Sequence, residues 1–164
     1  MCTIGSAFLD NVYVFKNRDP IRGTPTDERV EVINNNQILI IRNDIGCYGG
    51  LNSLGVGIVG SFVNIAENQN NYFNGDNLIE ILSCGDIESI HKFLSINHSK
   101  LYGNIVCSDG LKTYSFELDG SKADSLQVES NYIATNHFQR IAKEIRTIND
   151  PFISKWTYSR LERD

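Results

Sequence analysis

Three separated stretches of this chain hold residues able to carry out acyl transfer. They are Cys2 at the start, the polar run Lys16-Asn17-Arg18-Asp19, and Thr135-Asn136-His137-Phe138 late in the sequence. Cys2 is the penultimate residue, so loss of Met1 would put a thiol and a free α-amino group on one amino acid. Nucleophile and base then come as a unit, and no separate histidine is needed. An α-amino group titrates near ~7.7–8 and a thiol near ~8.5, so a neutral amine and a thiolate are both accessible near neutral pH. The natural target of that pair is an amide carbonyl. The small Cys2 side chain suits methionine aminopeptidase, and removal of Met1 is therefore expected. A lone cysteine near a chain start is usually incidental, so the other residues must carry the case.

Other chemistry-bearing residues narrow the choice. Cys47, Cys84 and Cys107 lie far apart with no Cys-x-x-Cys, which fits neither a zinc site nor a dense disulfide framework. They read as packing residues. His91 and His98 lack the four-residue spacing that points two imidazoles at one ion, so no metal or other cofactor is expected. Gly55-Val56-Gly57-Ile58-Val59-Gly60 has dinucleotide-binding spacing but sits inside a strand-like run instead of between a strand and a helix. Its glycines are expected to allow close backbone approach beside a site.

A net charge of −5, a pI near 5.2 and the lack of a basic stripe argue against nucleic acid. A small-molecule amide or short peptide is the expected partner. The start of the chain has no basic segment followed by an apolar run, and no stretch approaches the ~18 apolar residues that span a bilayer. A cytoplasmic protein with no membrane partner is expected.

The elements that must position these residues can be read from patterning. At 164 residues and 41% apolar content the chain is one domain, 1–164, with enough mass for a core. Thr3–Leu9 and Val12–Lys16 read as a hairpin around a two-residue Asp10-Asn11 turn of positive φ, which returns Asn17-Arg18-Asp19 beside Cys2. Alternation puts Lys16 and Arg18 on one face and Asn17 on the other. A loop over 20–27 leads to a second hairpin, Arg29–Ile33 and Gln37–Arg42, joined by Asn34-Asn35-Asn36. Gly49 to Gly55 reads as a turn before a buried strand, Val56–Asn64. After a polar loop over 67–75 come two amphipathic helices, Asn77–Ser83 behind Asp76 and Ile87–Ile96 behind Asp86. Strands return at Asn104–Ser108, Thr113–Leu118, Ser125–Glu129 and Tyr132–Thr135, and a helical stretch is expected near Ser154–Glu162. The class is α+β.

In this order the sequence resembles the N-terminal nucleophile (Ntn) hydrolases, in particular the cysteine branch that includes acyl-coenzyme A:isopenicillin N acyltransferases, penicillin V acylases and bile salt hydrolases. Met1-Cys2-Thr3, Lys16-Asn17-Arg18-Asp19, Gly50-Leu51-Asn52-Ser53-Leu54-Gly55-Val56-Gly57-Ile58 and Thr135-Asn136-His137-Phe138 carry the resemblance, with Ser159-Arg160 as a further element. It implies an αββα sandwich, two stacked, mostly antiparallel sheets with helices outside, and cleavage or transfer of acyl groups at linear amides. It further implies that Cys2 is the nucleophile, that Asp19 holds its amine or thiol, and that Asn136 donates to the oxyanion. Lys16, Arg18, Asn64 and Arg160 are the implied substrate-side residues.

Two departures accompany the resemblance. Lys16 stands where several relatives carry arginine, and it can supply charge but not a planar bidentate fork. Relatives also continue beyond the Ser-x-x-Arg helix, so the chain is expected to be either an unusually small member or a sandwich incomplete at the C-terminus, with sheet edges open or paired in a homo-oligomer. A sister family carrying Asn-Arg-Asp, related to transport and Golgi organisation proteins, is an alternative favoured by Arg18 and opposed by Thr135-Asn136-His137-Phe138. A non-catalytic small-molecule-binding or assembly domain on the same fold is the other.

Overall fold

The computed structural model describes residues 2–18, 28–33, 35, 37–42, 47–61, 63, 75–136 and 138–141. The chain opens with an antiparallel hairpin, β1 (Cys2–Phe8) and β2 (Val12–Arg18), whose β-branched and aromatic residues suit a half-buried pleated surface. The register runs from Cys2 opposite Arg18 to Phe8 opposite Val12. Leu9, Asp10 and Asn11 therefore form a three-residue connection, which corrects the expected two-residue turn. Among the described residues Asn35 is the sole non-glycine with positive φ, so Asp10-Asn11 does not take the mirror-image conformation. The Asp10 carboxylate accepts instead from the Asn11 backbone N–H at 3.1 Å.

Seven strands in consecutive order make a second antiparallel sheet: β3 (Arg29–Ile33), β4 (Ile38–Arg42), β5 (Cys47–Asn52), β6 (Gly57–Ser61), β7 (Tyr102–Ser108), β8 (Thr113–Asp119) and β9 (Ala123–Gln127). The chain then leaves that sheet, and β10 (Tyr132–Ala134) pairs with β1, Ala134 opposite Ile4. Strand β5 is a second correction, because Gly49 and Gly50 were expected in a turn. A Cβ on Gly49 would sit 2.6 Å from the Ile58 carbonyl oxygen, and one on Gly50 would sit 2.6 Å from that of Leu39. Close packing of neighbouring strands, not a reversal of direction, demands glycine at both. The turn proper is Ser53–Gly55, where Gly55 has φ +84°.

Helices α1 (Gly75–Ser83) and α2 (Ile87–Ile96) cover one face of the large sheet. Asp86 caps α2 as expected, accepting from the Ser89 N–H at 2.8 Å. Leu78, Ile81, Leu82, Ile90 and Leu94 pack on Ile38, Ile40, Ile58, Cys107 and Phe116, and full burial of each aliphatic side chain contributes about 1.5–3 kcal/mol. Asn52 ties this layer together. Its amide NH2 donates to the carbonyls of Leu82 and Gly85, while its Oδ1 accepts from the N–H groups of Leu54 (3.1 Å) and Val56 (3.0 Å).

The opposite face of the large sheet presents Val59 and Val106 to Ile4, Val14 and Ala134 of the small sheet. The result is α+β, as expected, with two packed antiparallel sheets. The helical stretch expected near Ser154–Glu162 lies outside the described residues.

Candidate active site

Cys2 and Arg18 oppose each other across β1 and β2, so their Cα atoms are about 4.5–5.5 Å apart and their side chains leave on one face. Ile4, two residues on, is buried against Val59 and Val106, which identifies that face as the one turned toward the large sheet. Lys16 opposes Ile4 and shares it, and its ammonium donates to the Gly60 carbonyl in β6. Asn17 lies on the other face, exposed. The glycine-rich run thus forms a strand beside the site, and Gly60 offers backbone to a cation.

Burial lowers the pKa of Lys16, an effect opposed by the nearby Cys2 thiol and reinforced by the Arg18 guanidinium. Tyr48 in β5 receives both cations: Lys16 Nζ lies 5.1 Å and Arg18 Cζ 4.0 Å from its ring centre. Arg18 also pairs with Glu28 at 3.1 Å.

Asn136 arrives from the other side of β1. Cys2 N donates to Asn136 Oδ1 at 2.7 Å, joining residues 134 positions apart. Pairing of β10 with β1 brings the chain there, and the carbonyl of Thr135 is then held by Ser61 Oγ (2.8 Å) and Asn104 Nδ2 (2.6 Å). Beyond Asn136 the wholly buried carboxylate of Glu117 accepts the backbone N–H groups of Gln139, Arg140 and Ile141 at 2.6, 2.7 and 2.6 Å. Arg140 in turn donates to the Asp124 carboxylate and to Tyr132 Oη at 3.0 Å.

Sequence reasoning passed over Glu117 and Arg140. The available signal was a carboxylate between Phe116 and Leu118 inside a strand-like run.

Between the sheets, next to this cluster, lies a cleft of about 560 Å³. Val14, Lys16 and Arg18 form one wall, and the floor comes from β4, β5 and β6, including Leu39, Ile41, Gly49, Leu51, Gly57 and Val59. The glycines keep the floor low. A Cβ at Gly57 would already meet Val14 Cγ2 at 3.1 Å. Cys2 is not a wall of the cleft but stands at its end, opposite Arg18.

The structure therefore brings Cys2, Lys16, Arg18 and Asn136 together, whereas Asp19, Asn64, His137 and Arg160 lie outside the described residues. Burial raises the Cys47 and Cys84 thiols and pushes Cys107 up to about 12, which leaves them poor nucleophiles. Among the described residues no group of three or more His, Cys, Asp or Glu is arranged to hold a metal ion, and no helix is long and apolar enough to cross a membrane. No protein-family model matches the chain, and no curated protein matches it.

Proposed function

We propose that the chain is a cysteine hydrolase or acyltransferase of the N-terminal nucleophile kind, acting on linear amides through Cys2 once Met1 is removed. The observation that carries this reading is the 2.7 Å hydrogen bond from Cys2 N to Asn136 Oδ1. It ties the prospective base to a side chain whose other end is an uncharged NH2 donor, the group an oxyanion needs. The helix layer and two packed sheets are compatible with three layers of an αββα sandwich, and a cytoplasmic setting belongs to the same proposal.

In this mechanism the Cys2 α-amine takes the thiol proton as sulfur attacks the carbonyl carbon. Asn136 Oδ1 accepts from the amine and fixes where its lone pair points. The Asn136 NH2 group donates to the oxyanion, and the Lys16 ammonium adds positive charge beside the sulfur. Collapse of the tetrahedral intermediate breaks the C–N bond, and the departing amine takes the proton from the α-ammonium. Water or an acceptor amine then resolves the thioester by the same steps in reverse order.

Intact-mass measurement of the purified chain tests the reading. Expected are loss of one methionine and single-site acylation by an activated acyl probe, absent in Cys2→Ala and slowed about 10²–10³-fold in Asn136→Ala. Retention of Met1 together with a Cys2 that stays unmodified near neutral pH would refute it.

A further inference from the structure

Lys16 and Arg18 carry like charges two residues apart on one face of β2, and both line the cleft beside Cys2. Such a pair repels itself: after burial, the Arg18 guanidinium is a further cause of the lowered Lys16 pKa. Lys16 donates to the Gly60 carbonyl, and Arg18 NH1 meets Glu28 Oε1 at 3.1 Å. The Glu28 side chain is 48% exposed, so that ion pair is weak and does little to keep two positive charges side by side.

Tyr48 is the group that both cations share. It stands in β5, across the cleft from β2, with Arg18 Cζ 4.0 Å and Lys16 Nζ 5.1 Å from its ring centre. Both distances lie inside the ~6 Å over which the negative face of an aromatic ring attracts a cation. Arg18 stacks as a plane and Lys16 approaches as a point charge, so one ring can serve both. The hydroxyl takes no part in this. Tyr48 Oη is buried without a hydrogen-bond partner among the described residues, the guanidinium lying over the ring and not in line with the oxygen. What the position uses is therefore the ring.

We infer that Tyr48 is a positioning residue, an aromatic shelf that holds the Lys16 and Arg18 cations together beside Cys2 and through them favours negative charge at the sulfur and at the atom it attacks. Arg18 is the cross-strand partner of Cys2, and Lys16 sits one pair further along the same face, so a charge held on the shelf acts on the sulfur at short range. Removal of the ring frees both side chains to turn apart toward water, where their field is screened. The inference rests on the Cys2 reading for what the charge is used for, but the shelf itself needs no turnover.

Alkylation of Cys2 in the full chain by iodoacetate and by iodoacetamide, followed by peptide mass, reads the local charge, because the thiolate displaces iodide from both and only the first reagent is an anion. The iodoacetate-to-iodoacetamide rate ratio at Cys2 is expected to exceed that of free cysteine amide by at least about five-fold. Tyr48→Leu should lower the ratio by at least about three-fold, and Tyr48→Phe should keep it within about two-fold. In a chain carrying Lys16→Gln and Arg18→Gln, Tyr48→Leu should change nothing further, which a general packing defect would not reproduce. Proton NMR supplies the geometric arm: the Arg18 side-chain protons are shifted upfield by the ring in the parent and in Tyr48→Phe. A parent ratio equal to that of the free thiol, a Tyr48→Leu ratio equal to the parent's, a Tyr48→Phe that falls as far as Tyr48→Leu, or an Arg18 without the ring shift would overturn the inference. Should Tyr48→Leu not fold, the parent ratio, the ring shift and Tyr48→Phe still decide. A Cys2 that reacts with neither reagent refutes the nucleophile reading and the shelf's role with it, whereas a reactive Cys2 indifferent to Tyr48 overturns the shelf alone.

Discussion

Glu117→Gln is the perturbation that best isolates what holds Asn136 in place. In the native chain Glu117 Oε2 accepts from Arg140 N and Ile141 N, and Oε1 accepts from Gln139 N. A glutamine has the same shape but a single acceptor. With its oxygen in the Oε2 position two bonds survive as neutral ones, each weaker by about 1 kcal/mol, and the Gln139 N–H is left facing an NH2 group, which costs about 1–3 kcal/mol. Removing a buried charge offsets part of this, although the same carboxylate also pairs with the Arg140 guanidinium at 3.9 Å and that attraction is lost. The net expectation is about 3 kcal/mol of lost stability, or a fall in Tm of roughly 6–12 °C for a chain of this size. Urea unfolding followed by circular dichroism measures the first quantity, provided the slope with denaturant is unchanged. Hydrogen exchange at the 139–141 amides measures the local effect. A loss below about 1 kcal/mol, or native amides at 139–141 that are already unprotected, would show that this carboxylate does not anchor the segment after Asn136.

Asn52→Ala removes two hydrogen bonds from the β5–β6 turn to the α1–α2 junction and two within the turn itself, and a loss of about 2–4 kcal/mol is expected on urea unfolding. A change near zero would mean that water replaces the amide without penalty. Cys107→Val tests the buried thiol through pH. Its pKa is raised to about 12 in the fold against ~8.5 in an unfolded chain, so above that lower value the unfolded state sheds a proton that the native state keeps. The corresponding stability is complete below ~8.5 and is lost as pH climbs toward 12. Relative to the variant, the parent chain should lose on the order of 2 kcal/mol between pH 8 and pH 10. Parallel profiles would refute the assignment.

What was legible in the sequence follows from the range of the forces involved. Asp86 heads α2 because a cap is a local signal spanning four residues, and the structure repeats it. The sharing of one face by Lys16 and Arg18 follows from strand alternation and is equally local. The first turn failed because Asp10-Asn11 suits a two-residue loop by type, whereas register is decided by burial of Ile4 and by pairing along the whole hairpin. Gly49 and Gly50 failed for a similar reason. Glycine marks either a turn or a close strand contact, and only the neighbours at Ile58 and Leu39 distinguish them. Glu117 could not be assigned a role, because its three donors lie 22 to 24 residues away in a segment without a motif.

The site depends on one strand more than on any residue within it. β1 lies between β2 and β10, so it receives Lys16 and Arg18 from one side and Asn136 from the other. A slip of one residue in either pairing would carry the slipped strand's side chains to the opposite face relative to Cys2 and dissolve the cluster. Gly5 restrains that slip. A Cβ there would lie 2.2 Å from the Tyr132 carbonyl oxygen and 2.8 Å from the Phe15 ring, so in this register the position accepts no side chain. Ile4 and Ser6, on either side, both carry a Cβ, and a shift along β10 would bring one of them into that space. Burial of Ile4 against Val59 and Val106 favours the correct face, while Gly5 excludes the neighbouring alignments. The geometry around Cys2 is therefore specified by an aliphatic residue and a glycine that do no chemistry.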